Sequence, residues 1–215
     1  MSRASKAAVR DSRSGAGPTV AGAEPGPNPG ATAKFGLFGE VLTVGLLITA
    51  AGLAVVTLPI ALAAGVRHLR RFVSAEDSRA GLFWADVRRG VVPSLPLGVG
   101  VVLLAAVLLI DIDLAGSGVL PGGPVVAAVG WAGLAALVTG ILLVAGAWDP
   151  DAGWRSALRA VPARAASDPA GTAYLLATGV FVGVVTWMLV PLFIPAIGCA
   201  ALAVVAIPAR RRRTV

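Results

Sequence analysis

This chain has little of what a chemical site usually needs. Among 215 residues it has one cysteine, Cys199, one histidine, His68, and one tyrosine. A single thiol inside an apolar segment excludes an intrachain disulfide and a thiolate metal cluster, and Cys199 reads as a small buried apolar side chain. One histidine excludes a His-Glu-x-x-His zinc pair. With no acidic residue inside the apolar stretches, neither a catalytic triad nor an intramembrane proton relay can be assembled. Charged residues make up only 13% of the chain, against roughly 25% in soluble domains. Four stretches have no charge at all: Val41 to Val66 (26 residues), Val91 to Ile110 (20), Val125 to Ala147 (23) and Thr172 to Ala209 (38).

What fills those stretches is aliphatic. The chain is 57% hydrophobic with a mean hydropathy of +0.85, which excludes a soluble globule and predicts an all-α, polytopic helical membrane protein. A helix rises about 1.5 Å per residue, so the 20 and 23 residue stretches each match a hydrocarbon core of roughly 30 Å. The last stretch would reach about 57 Å and must fold back; Pro191 and Pro195 mark that turn. The first is also too long, and Thr57-Leu58-Pro59 interrupts it. Proline removes a donor and disfavours helix in the residue before it, so one helix should end near Val56 and another run from Pro59 to about Val73. Read as a single span, Val41 to Val66 gives five passes; read as a hairpin broken at Pro59 it gives six, the second one short.

None of the 18 basic residues lies inside these stretches, and most crowd their edges. Six arginines fall in loop 66 to 90, three in loop 148 to 171 and four at Arg210 to Arg213, whereas loop 111 to 124 has none and carries Asp111 and Asp113. Basic loops stay inside, so the first three are expected to be cytoplasmic, in a multi-pass protein of the cell membrane with a cytoplasmic C-terminus. The hairpin also keeps the N-terminal basic residues inside, which favours it. The net charge of +7 therefore reads as sidedness and not as nucleic-acid binding, since no basic helix is interleaved with stacking aromatics. Arginine outnumbers lysine sixteen to two beside heavy Ala, Gly and Val, the codon bias of a GC-rich bacterial genome.

Residues 1 to 34 form a Gly, Pro, Ala and Ser-rich tail expected to be disordered, 35 to 209 the helical transmembrane domain and 210 to 215 a basic cytoplasmic tail. No apolar core follows the charged start directly, so no cleaved signal peptide is expected. Short interfacial helices are expected in the cytoplasmic loops, one over Leu82 to Arg89 and one in the stretch that carries Arg155, Arg159 and Arg164. The two loops share a Trp, Arg, Val-Pro order (Trp84, Arg88, Pro93; Trp154, Arg159, Pro162), a hint of an internal repeat.

Two runs carry a family resemblance. Thr57-Leu58-Pro59-Ile60-Ala61-Leu62-Ala63-Ala64, Leu69-Arg70-Arg71-Phe72-Val73, Glu76-Asp77 and Phe83-Trp84-Ala85-Asp86-Val87-Arg88-Arg89 form the first. Leu189-Val190-Pro191-Leu192-Phe193-Ile194-Pro195-Ala196-Ile197 is the second. In layout, over roughly residues 36 to 213, the chain resembles the YesL family of bacterial integral membrane proteins, with Ala75 where that family has a turn glycine. The resemblance implies no established biochemical activity and an association with carbohydrate uptake systems.

No catalytic, cofactor-binding or metal residues are expected. His68 reads as an interfacial polar residue, Asp149 and Asp151 as helix-start caps, and Asp111 and Asp113 as the close of a span. Gly179 with Gly183, Ala61 with Gly65, and Ala136 with Gly140 have the four-residue spacing that lets helices pack closely. Arg70, Arg71, Glu76, Asp77, Asp86, Arg88 and Arg89 form the candidate cytoplasmic interface, an ion network suited to sidedness and docking. Expected partners are the bilayer, anionic lipid head groups near Arg210 to Arg213 at about 1 kcal/mol per basic residue, and a transporter complex. The chain is thus expected to be a non-catalytic accessory or scaffold protein. The alternative is a small permease for an uncharged solute, using the helix breaks and the hydroxyls of Thr43, Thr49, Thr139, Thr178 and Thr186.

Overall fold

The computed structural model describes residues 34–118 and 121–212; the expected tail before Lys34 and the last three residues lie outside them. Among the described residues all regular structure is helical. Helix α1 is Lys34–Ala51, α2 Leu58–Val73, α3 Ala80–Gly116, α4 Gly123–Ala147, α5 Gly153–Ser167, α6 Pro169–Met188 and α7 Phe193–Arg212, with a 3-10 turn Val190–Leu192 before α7. Four helical segments are long and apolar enough to cross a membrane: α3, α4, α6 and Val190–Arg210. Their outer faces are aliphatic and aromatic: Ile110 is 63%, Val125 69% and Trp187 92% exposed. Water would not favour so much contiguous apolar surface, whereas lipid tails solvate it.

The shortest of the apolar helices lies at the centre. Ten of the 16 residues of α2 are buried, from Pro59 through Leu69, and α2 packs on α1, α3, α4 and α7. Its composition permits this, because Ala61, Ala63, Ala64 and Gly65 keep the helix thin while Ile60, Leu62, Val66 and Leu69 fill the spaces between neighbours. Pro59 sits in its first turn, where a missing N–H costs nothing. The expected break at Thr57-Leu58-Pro59 is present, but α1 ends five residues earlier than expected, at Ala51. The intervening turn is held by Thr57 Oγ1, which donates to Ala51 O at 2.6 Å, and Val55 has a positive φ of 49°.

The α1–α2 turn meets α3 midway. Gly98 faces the Val56 carbonyl so closely that no side chain fits between them. Gly98 lies twelve residues after Asp86 and thirteen before Asp111, or about 18 and 20 Å along the helix.

Three expectations are corrected. No separate interfacial helix covers Leu82 to Arg89: those residues are the first turns of the 37-residue α3, which continues through Pro93 and Pro96. Each proline removes one rung of the ladder, but a full break would strand several backbone groups where lipid offers no partner. Asp111 and Asp113 do not close α3, which runs on to Gly116. Cys199 is exposed on α7 and not buried. The fold-back inside Thr172 to Ala209 does occur at Pro191, while Pro195 falls in the first turn of α7.

Candidate functional site at the arginine-rich end

The charged ends of α2 and α3 and the α4–α5 turn converge on Arg67. Its Nε lies 3.4 Å from Asp86 Oδ2, its Nη1 donates to Asp149 Oδ2 at 3.1 Å, and its guanidinium stacks over the Trp148 ring at 5.7 Å. One side chain thus joins three elements. Arg71, one helical turn further on, places Nη2 2.9 Å from the same Asp86 oxygen. Asp86 is 4% exposed, so two flanking guanidinium groups compensate a carboxylate that burial alone would strongly disfavour.

His68 is the second centre. It is 1% exposed and Nε2 lies 2.5 Å from Glu40 Oε1 on α1. It is therefore a core residue tying α1 to α2, not the interfacial side chain expected.

The end of α4 is closed by cations and aromatics. Arg70 Nη2 and Arg164 Nη1 donate to Gly146 O at 3.1 and 3.4 Å, where a helix C-terminus favours positive charge. Trp148 and Trp154 stack with ring centres 5.4 Å apart, and Trp154 Nε1 donates to Gly90 O of α3 at 3.3 Å. Asp149 does not cap α5; its Oδ1 accepts the Asp151 N–H at 2.9 Å. That bond is the main cause holding the Asp149 carboxyl below the usual aspartate range; burial opposes it, and the Ala152 N–H and Arg67 add smaller lowering effects.

The other end of the chain adds one more tie. Asp168 caps α6 by accepting the Gly171 N–H at 2.9 Å and binds Arg210 at 2.6 Å, while Arg210 stacks on Tyr174 at 5.0 Å. Arg210 is therefore a bolt between α6 and α7 as well as a stop.

No protein-family model, no curated protein and no solved structure matches this chain.

The expected interface residues divide. Asp86 and Arg71 are joined, with Arg67 as the added partner, and Arg70 turns to α4. Glu76 is exposed. Asp77 pairs instead with Arg79 at 2.5 Å, and the Arg79 hydrogen bond lowers the Asp77 carboxyl pKa. Arg88 and Arg89 point outward and join none of the ion pairs among the described residues, so the single network expected around them is corrected to a core cluster and an exposed rim. Ala75, at the turn after α2, has a φ of 59°, a conformation that favours glycine.

The small-residue pairs divide as well. Gly65 receives Ile48 and Val44 of α1, and Gly179 receives Val138 of α4, but no atom lies within 4 Å of where a β-carbon on Gly183 or Gly140 would be. Ala61 is fully buried.

Glu40, Arg67 and Asp149 were not picked out as partners from the sequence. Glu40 could have been, as the one acid at the start of a 26-residue uncharged run; the pairing of Asp149 with Arg67, 82 residues apart, left no local trace. Among the described residues no three His, Cys, Asp or Glu side chains converge as a metal site would need.

Proposed function

We propose that the chain is a non-catalytic accessory or scaffold protein of the cell membrane, embedded by α3, α4, α6 and α7. Here α1 and α2 form a hairpin that dips into the bilayer and returns. The N-terminus, the arginine-rich end and the C-terminus then share the cytoplasmic side, as the distribution of basic loops favours. The meeting of Val56 with the midpoint of α3 supports the dipping hairpin.

One observation carries the accessory reading. Polar groups within the apolar helices serve their own backbone: Thr43, Thr49, Thr139, Thr178 and Thr186 each donate to the carbonyl four residues earlier, at 2.7 to 3.0 Å. The core charges in turn bind the helices to one another. What remains outward is a rim containing Arg88, Arg89, Arg155 and Arg159, suited to docking an acidic surface. If kinship with the YesL family holds, a carbohydrate uptake transporter is the partner class.

The permease reading draws on one feature, the interrupted helix pair at residues 52 to 57, and the committed hydroxyls weigh against it. Both readings meet one experiment. The full chain is isolated from its native membrane in mild detergent and, in parallel, reconstituted in liposomes. A transporter recovered in stoichiometric amount, and lost from R88E/R89E, supports the scaffold; solute flux in liposomes without such a partner overturns it. An N-terminal tag labelled from outside intact cells would sink the hairpin topology alone.

A further inference from the structure

A slot of about 300 Å³ opens between α3 and α4 beneath α5. Its walls are Leu97 and Val101 of α3 and Ala136, Gly140 and Val144 of α4, and its roof is Trp154 and Leu158 of α5. The α4 wall extends from Ala136 to Val144, about 12 Å along the helix axis, the direction in which lipid chains lie. Its lining is aliphatic and aromatic, and Trp154 commits its N–H to Gly90 O, so the roof offers no free donor.

The rim is charged with one sign. Arg155 and Arg159 are exposed one helical turn apart, beside Leu158 and Pro162 at the open edge of α5. Helix α5 contains no acidic residue. Of the two aspartates before it, Asp149 is engaged by Arg67 and the backbone, leaving one carboxylate, Asp151, against two arginines. An apolar slot beneath an edge of net positive charge has the polarity of a phospholipid with a negative head group.

We propose that this slot holds one acyl chain of an anionic phospholipid whose head group rests on Arg155 and Arg159. This rests on the chain being a membrane protein, but not on the scaffold reading. It makes α5 a lid that reads lipid charge, and a bound lipid would brace α3 against α4 and α5.

Gly140 provides the test, because a side chain placed there meets nothing within 4 Å and would extend into the slot. The full chain is reconstituted in phosphatidylcholine vesicles with small fractions of chain-brominated phosphatidylglycerol or chain-brominated phosphatidylcholine, and quenching of tryptophan emission is followed. The wild type should bind brominated phosphatidylglycerol about thirty-fold more tightly than the zwitterionic lipid, from about five-fold per arginine. G140L, which in lipid-free detergent should melt no lower than the wild type, should lose the saturable quenching; R155Q/R159Q should keep quenching but lose the preference. Equal affinity for the two lipids in the wild type, or unchanged quenching in G140L, overturns the proposal. So does a smaller particle for G140L with unchanged lipid binding, which would mean that a second copy fills the slot. A chain that remains monodisperse in buffer without detergent would instead sink the membrane reading beneath it.

Discussion

The carbonyl oxygen of Val56, in the turn between α1 and α2, occupies the space that a β-carbon on Gly98 of α3 would take. The obstructing atom is backbone and cannot swing aside, so a methyl group there must push the hairpin away from α3. Gly98→Ala should lower stability by about 1–3 kcal/mol through overpacking, even though alanine favours helix by about 1 kcal/mol. Gly100→Ala, two residues on with nothing within 4 Å, should gain part of that propensity. Thermal unfolding of both variants in detergent checks the pair, and equal melting temperatures would mean that the turn does not press on α3.

Asp86 balances two guanidinium groups while nearly buried itself. Asp86→Asn keeps the shape but leaves Arg67 and Arg71 facing a neutral amide, and removing one partner of a buried pair costs about 3–5 kcal/mol. The side chains of Arg67 and Arg71 are 22% and 17% exposed, so the loss should fall toward the low end of that range. Glu76→Gln, at an exposed position, should change stability by no more than about 0.5 kcal/mol. Denaturant midpoints of the two variants measure the contrast.

The Asp149 carboxyl is held below the usual aspartate range, first by the Asp151 N–H. A carboxylate whose pKa is lower in the folded than in the unfolded chain contributes stability above the unfolded value, near 3.8, and loses it as the pH falls through the folded value. Asn at position 149 mimics the protonated group. The wild type should therefore exceed D149N by a constant margin from about pH 5 to 8, and the two melting curves should converge as the pH falls below 3.8. A margin that widens in acid would show that another group dominates.

The lipid-length helices and the arginine-rich ends were legible in the sequence because both follow from local composition. Twenty uncharged residues in a row meet the bilayer's length requirement wherever they occur, and arginines that stay at span edges need no long-range partner to be read. The helix break before Pro59 was legible too, since proline acts on its own backbone. By contrast, a helix such as α2, apolar at its start and basic at its end, reads as one more pass near the head groups. Only its neighbours make it the core, by burying His68 and supplying Glu40, Asp86 and Gly146 as counterparts. The continuity of α3 through Pro93 and Pro96 was likewise decided by the tertiary structure. A proline break is local, but whether the chain accepts one depends on what would satisfy the freed backbone groups, and inside a bilayer that is a property of the whole bundle.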